Sequence, residues 1–360
     1  MTQAAIAQVR QDCCEALSGL ERQLSQLKSD HVLITGGTGF VGSWLAEALA
    51  CLNDDFQFGV KIYILARNTG RFQSAYPHLA DRRDTTIIQA DIRDFFDVPA
   101  KINWIIHAAA TPDNRFHSSS PVETMNVIAS GTMTLVKAVD RCVNIKKFLN
   151  ISSGLAYGPQ PWDLERIAEG YTGAPASGAV SSAYAEAKRF AETYCGAARS
   201  QQRLPIVTVR PFAFLGPYQS LETPWAINNF IRDALTGNVL RVLGDGQTVR
   251  SYMYGSDMAA WLLRILTDGA IGAAYNVGNP EGITLERLAQ LVAERFNPRP
   301  EIRLNASNSD ARHHRTIFIP DTTLATTSLG LSIKTPLPTA LERTIQWNRA
   351  YHAGSAKVAA

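Results

Sequence analysis

Short apolar runs separated by amphipathic stretches dominate the first two thirds of the chain. The runs at 31–35, 61–65, 85–89, 104–107, 148–152 and 206–210 are rich in Ile, Val, Leu and Phe. Runs of this length and composition predict strands buried on both faces. Between most of them lie helical patterns, at 43–52, 121–143 and 182–198. Alternating strands and helices predict an α/β fold, a doubly wound parallel sheet with helices on both faces. Beyond Pro211 the pattern turns irregular, punctuated by Gly216-Pro217, Gly244-Asp245-Gly246 and Gly278-Asn279-Pro280. The change predicts a smaller C-terminal lobe over 211–350. A return to the first domain, 31–210, is expected around 256–280. At the start, Leu17, Leu20, Leu24 and Leu27 fall along one side of an amphipathic helix within residues 1–30. Such a helix packs on its own domain or against a second subunit. The tail 351–360 is expected to fray.

Composition narrows the classes. The 360 residues are 46% hydrophobic and 19% charged, with a net charge of +3. These are globular values, and no basic run argues for nucleic acid. The pairs Arg82-Arg83 and Lys146-Lys147 read as solvated faces. No apolar stretch is long enough to span a membrane, and the N-terminus lacks a signal peptide's apolar block. The five cysteines, Cys13, Cys14, Cys51, Cys142 and Cys195, show no CxxC spacing. That pattern argues against a disulfide framework or a zinc site and fits a reducing cytoplasm.

One run carries clear chemistry. "HVLITGGTGFVGSWLAEAL" is a strand, a glycine-rich turn and an amphipathic helix. Gly36 permits the tight turn, Gly39 lets backbone approach a pyrophosphate, and Gly42 allows close packing of the helix. Thr38, Phe40 and Val41 complete a turn whose free N–H groups suit phosphate. The expectation is a Rossmann-type dinucleotide site. Where an NAD site usually places an acid after the second strand, this chain has Ala66 and then Arg67. A guanidinium suits a 2′-phosphate, so NADP(H) is favoured over NAD(H), with Arg71 as a second contact. The alternative is an exposed Arg67 and a site that takes either cofactor.

Tyr184 and Lys188 lie one helical turn apart in "SSAYAEAKRFAETY", on one face. A nearby ammonium is expected to lower the phenol's pKa, so that Tyr184 exchanges a proton with a carbonyl oxygen as hydride moves. Ser153, at the end of the fifth strand, is placed to hydrogen-bond the same oxygen.

These residues together identify a resemblance. Gly36/Gly39/Gly42, Asp91-Ile92, "HAAA" at 107–110, "MNVIASGT" at 125–132, "ISSGLAYG" at 151–158 and Tyr184/Lys188 resemble the extended short-chain dehydrogenases/reductases. These are the NAD(P)-dependent sugar-nucleotide epimerases and dehydratases, and the likeness runs from His31 to about Trp347. It implies that Asp91 and Ile92 lie by the adenine. It implies that Ala108, Ala109, Ala110 and Pro211 line the dinucleotide cleft, and that Asn126 helps to order the catalytic helix. It further implies a nucleotide-diphosphate sugar in the C-terminal lobe and a homodimer formed by helices of the first domain.

Within that group, 4,6-dehydratases follow the catalytic hydroxyl with an Asp-Glu pair. Here Gly154 and Leu155 stand there, and neither transfers a proton, so elimination is disfavoured. A 4-epimerase and a 4-ketoreductase remain, and Arg67 tilts the choice toward the reductase. The runs 210–218, 226–231 and 250–254 resemble the bacterial branch that reduces dTDP-4-dehydro-6-deoxyglucose to the fucose form. Ala213 stands where many members have an Asn on the diphosphate. Asn229, Arg250 and either Arg312 or Arg315 are therefore candidate phosphate contacts. A cofactor-binding regulator without turnover is the non-enzymatic alternative. His107 reads equally as a cleft residue or a satisfied core histidine. The polar loop Asp113, Asn114, Arg115 and His117 reads as solvated or as reaching the sugar. The stretch 163–180 reads as a flap or a surface excursion. His313-His314 lack a partner at ligand spacing, and no metal is expected.

Overall fold

The apolar runs become the parallel strands β1 (His31–Thr35), β2 (Lys61–Ala66), β3 (Thr85–Gln89), β4 (Trp104–His107), β5 (Lys147–Ile151) and β6 (Ile206–Pro211). In this computed structural model, which describes residues 1–110, 113–305 and 316–358, they form one sheet in the order β3-β2-β1-β4-β5-β6. The strand Ala274–Val277 adds the outer edge beside β6, also parallel. The chain builds outward from β1 to β3, then returns to the other side of β1. That reversal opens a crevice above the carboxyl ends of β1 and β4, where open α/β sheets bind ligands. Thr35 and His107 are register partners at its floor.

Helices cover both faces. α1 (Gln3–Leu17) and α2 (Phe40–Phe56) pack on one side together with the helix Gly255–Asp268. On the other side lie Pro121–Val139 and Ala183–Gln202. The N-terminal segment does not run as one helix through Leu27. It stops at Leu17 and turns through Gly19 at φ 82°, and Gln23–Leu27 is a separate 3₁₀ turn. Leu17, Leu24 and Leu27 are still fully buried, because both pieces pack on the chain's own core. Asp12 pins α1 there, accepting from Tyr254 Oη at 2.6 Å and pairing with Arg343 at 2.8 Å. Burial raises the Asp12 carboxyl to about 6 against those two partners.

Lys147 departs from the solvated reading. Its side chain is buried and donates to Thr267 O and Gly269 O, both at 2.8 Å, closing the end of the helix Gly255–Asp268. A lysine at a helix C-terminus satisfies carbonyls that have no partner within the helix. Arg82, by contrast, pairs at the surface with Asp54 and Asp84.

Among the described residues the C-terminal elements form three small sheets, one of them the parallel pair Phe214–Leu215 and Met253–Tyr254. Val249–Arg250 lies between Ile283–Thr284 and Ile317–Phe318, while Leu240–Leu243 pairs with Ile302–Asn305. The stretch 163–180 is tied to this region. Ile167 is fully buried, exchanges backbone hydrogen bonds with Ile319 and Asp321, and accepts from Asn276 Nδ2 at 2.8 Å. No helix among the described residues is long and apolar enough to cross a membrane.

Candidate active site

The glycine turn sits where the crevice opens. Gly36 has φ 67°, a region costly for other residues, and a Cβ there would lie 2.8 Å from Ala108 O and Ala109 Cα. Gly42 packs against Gly37, where a Cβ would approach to 2.4 Å. Gly39 caps α2 and is exposed, with nothing nearer than 3.4 Å to an added Cβ. Backbone can therefore meet a phosphate at Gly39, in line with the positive end of the α2 dipole. The donor set and the open cradle fit a dinucleotide pyrophosphate.

The other predicted cofactor residues lie at the glycine turn, at or just after the carboxyl ends of strands, or on the helix Pro121–Val139. Thr38, Phe40 and Val41 are half-buried at the turn, and Phe40 stacks on Phe214 at 6.2 Å. Ala108, Ala109 and Ala110 follow β4, with Ala109 N–H donating to Thr35 Oγ1 at 3.3 Å. Ile92 is buried against Gly131. Asp91 caps the short turn Ile92–Asp94 and pairs with Arg93 at 2.8 Å, and that guanidinium holds its carboxyl at about 2. Arg67 is exposed just beyond the end of β2 and has no hydrogen bond or ion pair among the described residues. Asn126 is exposed and accepts from Ser130 Oγ at 2.8 Å, within its own helix. Pro211 ends β6, half-buried.

The fold brings Ser153, Tyr184 and Lys188 together. Ser153 leaves β5 and caps the 3₁₀ turn Gly154–Tyr157, accepting from Leu155 N–H at 3.1 Å. Tyr184 is the second residue of the helix Ala183–Gln202, and Lys188 is one turn on. Lys188 Nζ donates to Ile151 O at 2.7 Å and lies 5.9 Å from the Tyr184 ring centroid. Burial pushes the Tyr184 phenol up to about 12, and its hydrogen bond with Ser153 only partly opposes this. Desolvation therefore decides the phenol's pKa, and the lowering expected from Lys188 is not seen. Burial also lowers Lys188 to about 8, with the Glu192 carboxylate acting the other way. The pair holds a neutral proton donor beside an ammonium that titrates near neutrality.

This arrangement predicts a pH limb. Lys188 is depressed, so its ammonium fraction falls as pH rises through about 8, while Tyr184 stays protonated. Turnover in the reductive direction should fall above pH 8 in a rate–pH profile. A flat profile to pH 10 would remove Lys188 from the chemistry.

Two neighbours complete the site. The segment expected as a polar loop is a short helix, Asn114–Ser119, capped by Asp113, and its His117 stacks on Tyr184 with ring centroids 4.4 Å apart and planes 15° apart. Glu192, one turn after Lys188, takes a bidentate pair from Arg210 and a short hydrogen bond from Ser152. The sequence reading missed this network, although Tyr184, Lys188 and Glu192 recur every fourth residue on one helix face. Arg210 also lies 4.6 Å from the Tyr157 ring centroid. His107 is a core histidine: its ring nitrogens bond Thr35 Oγ1 at 2.8 Å and Thr132 Oγ1 at 3.0 Å, and burial lowers it to about 3.

Position 154 is too tight for a side chain unless an aromatic neighbour shifts. A Cβ on Gly154 would meet the Phe212 ring at 2.9 Å and the Phe318 ring at 3.0 Å. Leu155, the next residue, is apolar and exposed. Of the predicted sugar-side residues, Arg250 donates to Val249 O at 2.8 Å and to Thr316 O at 3.1 Å, and burial lowers its pKa. No carboxylate pairs with it among the described residues. Asn229 is half-buried in the helix Ala226–Leu235, whereas its neighbour Asn228 is buried and donates to Ser220 O and Thr223 O. Arg312, Arg315 and His313-His314 lie outside the described residues.

Comparison with known proteins agrees with this geometry. Residues 32–278 match the model of the NAD dependent epimerase/dehydratase family. Among curated relatives, UDP-glucuronic acid decarboxylase 4 of Arabidopsis thaliana is 29% identical over 321 residues, covering 89% of this chain and 67% of its own. UDP-glucuronic acid decarboxylase 5 of the same plant is 30% identical over 314 residues, covering 85% of this chain and 86% of its own. The chain therefore spans from about two thirds to most of these relatives' lengths. Among solved structures, an epimerase from Methanothermobacter thermautotrophicus matches with a TM-score of 0.79 at 22% identity, over 95% of this chain and 98% of its own. A UDP-glucose 4-epimerase from Thermotoga maritima matches at 0.73 and 22%, over 89% of this chain and 99% of its own. These two support the fold. With the family model spanning the glycine turn, Ser153, Tyr184 and Lys188, the chain belongs to the NAD dependent epimerase/dehydratase family, the nicotinamide-using nucleotide-sugar enzymes among the extended short-chain dehydrogenases/reductases.

Proposed function

We propose that the protein reduces the C4 ketone of a nucleotide-linked 4-dehydro-6-deoxyhexose, with NADPH as reductant and a dTDP-linked sugar as the first substrate to test. The observation that carries this reading is the Ser153–Tyr184–Lys188 cluster followed by a position that holds no acid. When bound, the nicotinamide supplies the hydride. Ser153 and Tyr184 hold the ketone oxygen, and Tyr184 donates the proton that makes it a hydroxyl. Lys188 replaces part of the charge lost as the phenol gives up its proton. With Gly154 against two aromatic rings and Leu155 beside it, no acid follows Ser153 to expel a C6 hydroxyl.

Arg67 supports NADPH, since an exposed guanidinium after β2, unpaired among the described residues, suits a 2′-phosphate. A phosphate contact by Arg250 is supported by its desolvation with no carboxylate partner among the described residues. The division of labour would set the sheet domain to the cofactor and the C-terminal lobe to the sugar nucleotide. A homodimer is supported by the apolar residues Val122 and Met125 of one helix and Phe190 of the next, all exposed on the same pair of packed helices.

A second reading has one specific support, the likeness to proteins named as UDP-glucuronic acid decarboxylases. C4 oxidation of a uronic acid makes a β-keto acid, whose loss of carbon dioxide needs no leaving hydroxyl. The absence of acids at 154 and 155 does not oppose it. A 4-epimerase would use the same cluster.

The deciding assay follows absorbance of NADPH or NADH with dTDP-4-dehydro-6-deoxyglucose, beside UDP-glucuronic acid with NAD. The reductase reading expects NADPH oxidation, faster than with NADH by about tenfold, as for one good phosphate contact. Carbon dioxide from UDP-glucuronic acid without net cofactor change would replace it with the second reading. No reaction of either substrate would refute both.

A further inference from the structure

The cofactor crevice uses none of the cysteines, yet two of them face each other behind it. Cys14 on α1 and Cys51 on α2 lie 37 residues apart in sequence, and their Sγ atoms are 2.9 Å apart. A disulfide bond is about 2.05 Å long, so closing this pair needs less than about 1 Å of movement between two packed helices. Asp55, one turn after Cys51, accepts from the Cys14 thiol at 3.1 Å and the Cys51 thiol at 3.5 Å. Arg10, one turn before Cys14, holds both Asp55 oxygens, at 3.2 and 2.5 Å. The cluster is thus ordered from both helices.

We propose that Cys14 and Cys51 form a reversible redox site, which a small disulfide such as oxidised glutathione converts into a bond clipping α1 to the cofactor-binding helix α2. Cys14 is half-buried and Cys51 buried, which sets the order of events. The Cys14 thiolate attacks one sulfur of the oxidant and releases the first glutathione thiolate. The Cys51 thiolate then attacks the Cys14 sulfur of the mixed disulfide and releases the second. Two electrons pass from the pair to the oxidant, and the two thiol protons end on the two glutathiones. Burial and the nearby carboxylate raise both thiols' pKa, so the reaction is slow at neutral pH.

A metal is the competing use of the same atoms, since Cys14, Cys51 and Asp55 offer three ligands within 4.8 Å of one another. The carboxylate disfavours it. Both its oxygens are taken by Arg10, and a divalent cation would sit against that fixed positive charge.

The test uses the full chain, incubated with reduced or oxidised glutathione at pH 8, then alkylated in denaturant and mapped by mass spectrometry. The reduced protein should show five free thiols. The oxidised one should lose two of them, weigh about 2 Da less before alkylation and carry two fewer alkyl groups after it, with the Cys14 and Cys51 peptides cross-linked. Cys14→Ser should keep its remaining thiols free of any intramolecular bond. Five thiols retained, a reaction that stops at a glutathione adduct, or a bond through Cys13 would each overturn the proposal. So would zinc retained through gel filtration by the reduced protein and lost on Cys14→Ser. Mapping of the unaltered chain decides the matter even if the variant fails to fold.

Discussion

Tyr184→Phe should lower turnover by about 10²–10⁴-fold, the usual worth of a positioned proton donor, while leaving nucleotide binding within about twofold. The ring stays, so packing against His117 and the face of the catalytic helix is kept. What is lost is the phenol that shares a hydrogen bond with Ser153 and holds its proton until about pH 12. Steady-state kinetics with a cofactor-binding titration separates the two effects. A variant with undiminished turnover would mean that another group delivers the proton and that the cluster is structural.

Glu192→Gln should have the second largest effect, on two separate readouts. Glu192 and Arg210 are only 15% and 18% exposed, and the carboxylate also takes the Ser152 hydroxyl. Removing its charge strands the guanidinium in the interior, at a cost of about 3 kcal/mol in chemical unfolding. The same carboxylate holds up the pKa of Lys188, one turn away. Without it the ammonium is lost at lower pH, so the alkaline limb of the rate profile should move from about 8 toward neutrality. Loss of stability with an unmoved limb would make Glu192 a purely structural residue. A moved limb would make it a positioning residue for the chemistry.

Those two residues also show what could be read in the chain and what could not. The six strands appear within about a residue of their runs. β4 and β5 are buried throughout, as a strand covered on both faces must be apolar along its length, whereas β3, at the edge of the sheet, has no buried residue and departs from the buried reading. The glycine turn and the Tyr184/Lys188 spacing were legible for the same reason: each is local geometry written in consecutive residues. Glu192 carried a local signal too, the third member of a four-residue series, but charged residues on helices are commonly solvated. Only its partner Arg210, on β6, shows that this one is not.

The remaining departures all depend on what packs against what. His117 reaches Tyr184 because the short helix Asn114–Ser119 packs beside the start of the catalytic helix, and no spacing announces that. Lys147 is buried because a helix from the far end of the chain ends above it. The raised pKa of Tyr184 follows from desolvation, which a sequence cannot display, and the lowering expected from Lys188 does not accompany it. Cys14 and Cys51 lack any motif, and the crossing of α1 and α2 alone makes them neighbours. Gly154 was read as a missing acid. The rings of Phe212 and Phe318 add that a side chain there would have to displace one of them.

The most direct test of hydride chemistry without elimination traces two hydrogens at once. NADPH carrying deuterium at the transferring position is turned over with the 4-dehydro sugar in water, and unlabelled NADPH is turned over in heavy water. The product is read by proton and deuterium NMR. Deuterium at sugar C4 from the cofactor, and none at C5 from the solvent, is the expected result. Solvent deuterium at C5, or an unlabelled C4 in a product formed from labelled NADPH, would contradict it.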